Sequence, residues 1–313
     1  MMQRWWTLED VPVQWGPTAV TIGKFNAIHV GHNEILRQLV ELSEHRGLQP
    51  TVITFDRHPS KLLAPDKTPA DILSITDRLN ILEQQHISAA IVLPFTPELA
   101  SLSPRGFVTD VLLGKLHAQA VLVGHDFRFG KGASGDVTTL TELGKELGFD
   151  VVLIDDVAPE NGVRASSSLI REHMATGDVA GAARLLGRFP RVSGEVVHGF
   201  KRGRELGFPT ANMSQESVGL IPADGVYAGW FMDEGHRYAC AISVGTNPTF
   251  EGVTQRTIEA FLLDQKIDLY GHQVSIDFVD HIRGMVAFDG LDALIAQMNK
   301  DVLRTREVLG LDS

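Results

Sequence analysis

Cysteine is almost absent: Cys240 is the single one in 313 residues. It can form no intramolecular disulfide, and no thiolate metal cage can be built from it. Long apolar runs are absent too, since none approaches the roughly 20 residues that span a bilayer. The first residues, MMQRWWTLEDVPVQW, contain no apolar h-region and no small-residue cleavage site. A soluble, cytoplasmic protein with no membrane partner is therefore expected. An excess of cations is also lacking. Lys+Arg 28 against Asp+Glu 39 gives a net charge of −11. That balance suits sequence-independent duplex binding poorly, so no nucleic-acid partner is expected, whereas a local basic site for a small phosphate ligand remains compatible with it. No internal repeat and no low-complexity tract interrupts the chain. Hydrophobic residues (43 %) and charged residues (21 %) stand in ordinary globular proportion. At roughly 150 residues per domain, the length suggests two domains.

The first half alternates strand-like and helical patterns. TAVTIG (18–23), PTVITF (50–55), AAIVLPF (89–95), QAVLVG (119–124) and FDVVLI (149–154) are β-branched-rich runs with no polar alternation. Strands covered on both faces look like this. Between them, HNEILRQLVELSEHRG places Ile35, Leu36, Leu39, Val40 and Leu42 on one helical face, with Gly47 as a stop. TDRLNILEQQ and RGFVTDVLLGKL read similarly. The order implies a doubly wound parallel sheet with right-handed crossovers, which binds ligands at the carboxyl ends of its strands. After about residue 186 the pattern changes. GDVAGAARLLGRFPRV reads as a last helix and a linker; GEVVHG, GVYAGWFM, YACAISVG, TIEAFLLD and VSIDFVDHI then read as strands separated by turns. A compact antiparallel barrel is the expectation, covered by a helix over LDALIAQMNKDVLRTREVL, where Leu291, Leu294, Ile295, Met298 and Val302 are helically spaced. The expected domains are 1–186 and 187–313.

The sharpest signal in the first domain is GKFNAIHVGH (23–32), between the first strand and the first helix. His29 and His32 flank Gly31, so two imidazoles and free backbone N–H groups face one point at a helix N-terminus. Such a place can hold a triphosphate and stabilise a phosphoryl group in transfer. Zinc is the weaker reading of His-x-x-His, because no third ligand lies nearby. GHDFRFGKGASGD (124–136) is not a P-loop: five residues separate Gly124 from Gly130–Lys131, and Gly132 occupies the place of the required Ser or Thr. Its G-x-G-x-x-G follows the fourth strand and is read as accidental. A flexible loop closing on a ligand and a plain glycine turn both remain open. RASSSLIRE (164–172) gathers Arg164, three serines and Arg171 around a helix start; the hydroxyls can cap and the guanidinium groups can fork onto phosphate.

In the second domain, GEVVHGFKRGRELGFPTANM (194–213) is a Gly-punctuated basic stretch in an acidic protein. Lys201, Arg202 and Arg204 lie among Gly199, Gly203 and Gly207, where backbone and cations can cover phosphates. Thr210 and Asn212 alternate, so both can offer oxygen to one cation, as Mg²⁺ prefers. Glu259 interrupts an otherwise apolar strand, as an edge residue or as a working carboxylate.

The set H-x-G-H, G-H-D-F-R-F-G and S-S-x-x-I-R resembles the adenylyltransferase half of the bacterial bifunctional riboflavin kinase/FMN adenylyltransferase (FAD synthetase) family. G-x-V-V-H-G-x-x-R-G-R-x-L-G-F-P-T-A-N, PADGVY, VGTNPTF, E-x-F-L-L-D, DLYG and FVDHIR resemble its kinase half, and together the two cover nearly the whole chain. The resemblance implies a nucleotidyltransferase-like α/β domain followed by a riboflavin kinase-like β-barrel with a C-terminal helix. It implies ATP with riboflavin and FMN as substrates, Mg²⁺ as cofactor, and two steps: riboflavin to FMN, then FMN to FAD with release of pyrophosphate. Glu259 would be the kinase base, with Mg²⁺ on Thr210 and Asn212. Gly199, Lys201, Arg204 and Gly207 would cover the nucleotide, and Asn247 and Arg283 would meet the flavin. His29 and His32 would assist the α-phosphate transfer. Gly23, Phe25, Asn26, Gly31, Asp126, Arg164, Ser167, Ser168 and Arg171 would contribute to nucleotide or phosphate binding. Three positions depart from the family pattern. Asn26 and Ala27 stand where it reads Asp-Gly, and Leu169 stands where it often has Arg. Asn26 removes a charge beside the triphosphate site, and Ala27 costs free energy if the turn needs positive φ there. A kinase with an inactive first domain or one altered in nucleotide choice, and a non-catalytic flavin- or nucleotide-binding regulator, stay open beside the two-step reading, as does weak homo-oligomerisation.

Overall fold

The computed structural model describes residues 1–57, 69–155, 164–199, 207–248 and 254–311. It divides into two compact units: Met1–Ala70 with Ile75–Ala165, and Asp71–Ser74 with Ser166–Ser313.

The first unit is a six-stranded parallel sheet. Its strands are β1 (Gln3–Trp5), β2 (Thr18–Ile22), β3 (Gln49–Phe55), β4 (Ala89–Leu93), β5 (Ala118–Gly124) and β6 (Asp150–Ile154), in spatial order β1-β4-β3-β2-β5-β6. The five apolar runs became β2 to β6. Every residue of β2 and β4 is buried, as continuous β-branched runs require when both faces are covered. β1 was not foreseen. It is a three-residue edge strand paired to β4, with Trp5 buried opposite Ile91. The order reverses between β2 and β5, so the segments following these two strands emerge side by side. That is where an open α/β sheet receives its ligand.

Helix α1 (Val30–Arg46) buries Leu36, Leu39 and Ser43 and ends at Gly47. The segment RGFVTDVLLGKL is wider than the expected α-helix. Phe107–Leu113 forms a π-helix, and Gly114 N–H closes it on Thr109 O at 2.9 Å. Phe107, Val108, Val111 and Leu112 are all buried, so the wider turn still delivers four apolar side chains to the core.

The second unit is a closed antiparallel barrel. Its strands are β7 (Arg191–Val197), β8 (Thr210–Met213), β9 (Gly225–Asp233), β10 (His236–Pro248), β11 (Thr254–Leu262) and β12 (Gln273–Arg283), in order β10-β11-β8-β7-β12-β9. In β12, Val274, Ile276 and Phe278 are buried and alternate with Ser275 and Asp277, as the sequence pattern requires. Register shifts after Phe278 and His281 mark bulges near its end. Cys240 lies fully buried in this core, and burial pushes its thiol pKa up. Two helices, Ser167–Thr176 and Val179–Leu186, group with the barrel in the second compact unit.

The terminal helix spans Leu291–Leu309, as its periodicity predicts, but its packing differs. The residues it buries fully are Asp301 and Thr305, whereas Leu291 and Leu303 are exposed and Leu294, Ile295, Met298 and Val302 are half-buried. Its anchor is therefore partly ionic: Arg283 at the end of β12 forks onto Asp301, with Nη2 2.7 Å from Oδ2 and Nε 3.0 Å from Oδ1.

Candidate functional sites

The turn after β2 is tightly determined. Gly23 N–H donates to Ile53 O at 3.0 Å, and Lys24 O accepts from Thr54 Oγ1 at 3.0 Å. Phe25 (φ 45°) and Ile28 (φ 43°) both occupy the left-handed region. Each costs on the order of 1–2 kcal/mol, most clearly for the β-branched Ile28. Ala27 is not one of the residues with positive φ, so the backbone strain anticipated there does not arise. Phe25, Asn26, Ala27 and Ile28 are all buried.

This turn brings the two histidines together at the start of α1. His29 is the N-cap residue in extended geometry, and its side chain makes no capping bond. The His29 and His32 rings lie 4.0 Å apart between centroids, and Phe25 packs 5.0 Å from His32. Gly31 leaves room for His29, since a Cβ there would sit 3.2 Å from His29 Cε1 and press the ring aside. Two half-buried imidazoles thus stand over the positive end of a 17-residue helix, at the reversal point of the sheet. Among the described residues no three His, Cys, Asp or Glu side chains converge as metal ligands.

The segment after β5 forms a hairpin. Phe129 and Gly135 exchange both backbone bonds, at 3.1 and 2.9 Å. Phe127 stacks on Phe129 at 5.5 Å, and Lys131 N–H is tied to Leu102 O at 2.7 Å. Asp126 pairs with Arg164 at 2.8 Å, but both are largely exposed, so the pair stabilises the fold little. Ser166, not Ser167 or Ser168, caps the next helix by accepting from Leu169 N–H at 3.2 Å. Arg171 donates to Ser167 O at 3.2 Å, and burial lowers its pKa against the opposing charge of Asp71. Ser167, Ser168 and Arg171 belong to the second compact unit.

Sequence reasoning missed Arg78. It is 4 % exposed in the helix Ile75–Gln84, and its Nη1 donates to Thr54 Oγ1 (3.0 Å) and Phe55 O (2.8 Å). The available signal was a cation on the helical face that also carries Leu79 and Leu82.

In the barrel, strand register gathers three expected residues. Asn212 of β8 lies opposite Glu259 of β11, and Thr210 lies opposite Phe261. Thr210 Oγ1 donates to Glu259 Oε2 at 3.1 Å, while Asn212 Nδ2 donates to Thr210 O at 3.2 Å. All three side chains are half-buried. Gly199 lies flat against the Asn212 amide, which any Cβ at 199 would strike. Gly199, Gly207, Thr210, Asn212, Lys266 and Tyr270 line a cavity of about 580 Å³. His198 stacks on Tyr270 at 3.8 Å beside it. Lys201 and Arg204 lie outside the described residues, as does the Asn247 side chain, whose backbone pairs with Gln255. Arg283 pairs with Asp301 at 2.7 Å, which ties the terminal helix to the end of β12. A second missed device is Asp224, read only as part of a turn. It accepts from Thr246 Oγ1 (2.6 Å) and from Arg256 Nε and Nη2 (3.0 and 2.9 Å). These bonds hold its carboxyl below the usual range.

The sheet unit, with its histidine turn, has the form of a nucleotidyl-transfer fold, and the barrel that of a small-molecule kinase. The FAD synthetase family model matches residues 11–169, and the riboflavin kinase model matches residues 186–309. The bifunctional riboflavin kinase/FMN adenylyltransferase of Escherichia coli K12 is 36% identical over 293 residues, 93% of each chain. Its namesake from Bacillus subtilis 168 is 34% identical over 288 residues, 91% of this chain and 90% of that one. A Streptococcus pneumoniae crystal structure described as a macrolide-efflux protein superposes with TM-score 0.87 at 30% identity, covering 97% of this chain and 98% of that one. Among the described residues no helix is long and apolar enough to cross a membrane. The chain belongs to the bifunctional riboflavin kinase/FMN adenylyltransferase family.

Proposed function

We propose that this chain makes both flavin cofactors in the cytoplasm from small molecules alone: riboflavin and ATP to FMN in the barrel, then FMN and ATP to FAD at the sheet. The observation that carries the reading is the Thr210–Asn212–Glu259 cluster beside a cavity of nucleotide size. Thr210 gives its hydroxyl hydrogen to Glu259 Oε2, which leaves Oε1 to accept the proton of the riboflavin 5′-hydroxyl. The 5′-oxygen then attacks the γ-phosphorus of ATP, the bond to the β-phosphate oxygen breaks, and ADP departs. The same hydroxyl keeps lone pairs, and Asn212 keeps its Oδ1, so the donors fit a hard cation that prefers oxygen. Mg²⁺ bound there would neutralise charge on the ATP phosphates.

At the sheet, an oxygen of the FMN phosphate attacks the α-phosphorus of ATP, and pyrophosphate leaves. His29, His32 and the amides at the start of α1 stabilise the charge on that phosphate. One observation favours a second reading, in which only the kinase acts: Asn26, buried in the histidine turn, stands where the family has a carboxylate. The test is a chromatographic assay of purified protein with Mg²⁺ and ATP plus either riboflavin or FMN. FMN followed by FAD supports the two-step reading. FMN alone supports the second. Neither product from folded protein would leave a binding protein.

A further inference from the structure

We propose that Arg78 is a positioning residue for the transfer site at the sheet, acting through Thr54 on the turn that presents His29 and His32. The inference rests on the adenylyltransferase reading of that turn. Thr54 has one hydroxyl hydrogen, and it goes to Lys24 O at 3.0 Å. The oxygen must then accept from its other neighbour, and that neighbour is Arg78 Nη1, also at 3.0 Å. The same nitrogen reaches Phe55 O at 2.8 Å, which fixes it at the carboxyl end of β3. A buried donor at residue 78 therefore sets the direction in which the Thr54 hydroxyl points, and the hydroxyl fixes Lys24. The next residue, Phe25, has φ 45°, and Ile28, just before His29, has φ 43°. Such angles persist only when the surroundings over-determine them. Gly23 N–H on Ile53 O and Thr54 Oγ1 on Lys24 O are two consecutive ties from β3 to this turn. Arg78 lies in a helix separate from the turn and reaches it through Thr54.

Thr54→Val deletes the hydroxyl at nearly constant volume; Arg78→Met deletes the donor, and Arg78→Lys restores one. FAD formation from FMN and FMN formation from riboflavin are measured on the same preparations, the second being an internal control for folding. Thr54→Val and Arg78→Met are each expected to lower kcat for FAD roughly ten-fold, the effect of losing one hydrogen bond. KM should change less, because the turn aligns groups for the transition state. The double variant should be no worse than Arg78→Met alone, and Arg78→Lys should recover part of the loss. The ring ¹H–¹³C signals of His29 and His32 should move in Thr54→Val and in Arg78→Met, and return toward their original positions in Arg78→Lys, while that of His236, in the other unit, stays. Additive losses would overturn the inference, as would unmoved His29 and His32 signals or a parallel fall in FMN formation. If the unaltered chain forms no FAD, the transferase reading fails on its own, and the histidine signals still decide the role of Arg78. If Arg78→Met does not fold, Arg78→Lys combined with Thr54→Val carries the decision: an effect of Arg78→Lys that persists in the Thr54→Val background would overturn the inference.

Discussion

Replacing Glu259 by Gln separates proton acceptance from everything else this side chain does. The residue is half-buried in β11, flanked by the buried Ile258 and Ala260, and it receives the Thr210 hydroxyl at 3.1 Å. A glutamine has the same length and can turn its carbonyl oxygen toward Thr210, so that hydrogen bond survives. The register of Glu259 against Asn212 and Ser243 uses backbone groups and is untouched. What disappears is the capacity to take a proton. A positioned general base contributes about 10²–10⁴ in rate, or roughly 2.7–5.4 kcal/mol of barrier. FMN formation from riboflavin, followed chromatographically, should therefore fall by at least two orders of magnitude. Riboflavin binding, followed by quenching of its fluorescence, should stay close to that of the unaltered chain. FAD formation from added FMN, if present, should be unchanged and would vouch for the preparation. Turnover within a few-fold of the unaltered chain would refute the assignment of Glu259 as the base. Loss of binding in step with turnover would instead make Glu259 a ligand-holding residue.

Gly199→Ala puts a methyl against the Asn212 amide and should depress FMN formation and raise its Mg²⁺ requirement; a normal Mg²⁺ titration would count against the oxygen-ligand role of Asn212. Asn26→Asp is expected to raise FAD formation several-fold while lowering the melting temperature, since position 26 is only 6 % exposed; an unchanged FAD rate would show that the missing carboxylate is not what limits the site. Asp301→Ala leaves the Arg283 guanidinium without its carboxylate in a mostly buried place and should destabilise the barrel by about 3–5 kcal/mol in urea unfolding, with a loss under about 1 kcal/mol marking a mere surface pair. The Asp224 carboxyl titrates lower in the folded chain than in the unfolded one, first because of the Thr246 hydroxyl and then Arg256. Its stabilisation is thus present above the unfolded value near 3.9 and is lost as pH falls through the lower folded value. Melting temperatures of the unaltered chain and Asp224→Asn should differ at pH 7 and converge toward pH 3; a constant gap would contradict this.

The legible parts of the fold were those with dense local signals. β2 to β6 announced themselves because a parallel sheet covered on both faces needs unbroken apolar runs. β1 carries only QRW, and its strand character comes from pairing with β4, more than eighty residues away. The alternation of Thr210 and Asn212 indicated that they share a face, but Glu259 is 49 residues from Thr210, and only barrel closure brings it opposite. Arg283 has a partner that its own strand does not reveal. A cation at the end of an alternating strand reads as available, yet its partner Asp301 lies in a helix whose apolar stripe suggested hydrophobic docking alone. The glycines of residues 124–136 signalled a loop or a turn, but not the Phe127–Phe129 stack and the Phe129–Gly135 pairing that shape it into a hairpin. Glycine content reports the turns a segment can make, not whether the segment moves.

The departures at residues 26 and 27 bear on chemistry more than on scaffold. A glycine at 27 would matter most if its backbone lay in the left-handed region, and it does not. The left-handed angles fall at Phe25 and Ile28, both buried, so packing and the ties to Ile53 and Thr54 hold the turn without a glycine. Asn26 is different in kind. An amide in that buried place keeps hydrogen-bonding capacity and removes a formal charge. In the proposed two-step reading, the histidine pair keeps its place at the start of α1, while the charge facing a bound triphosphate would differ by one unit. A change of that kind should register in the metal and nucleotide dependence of FAD formation before it registers in the stability of the sheet.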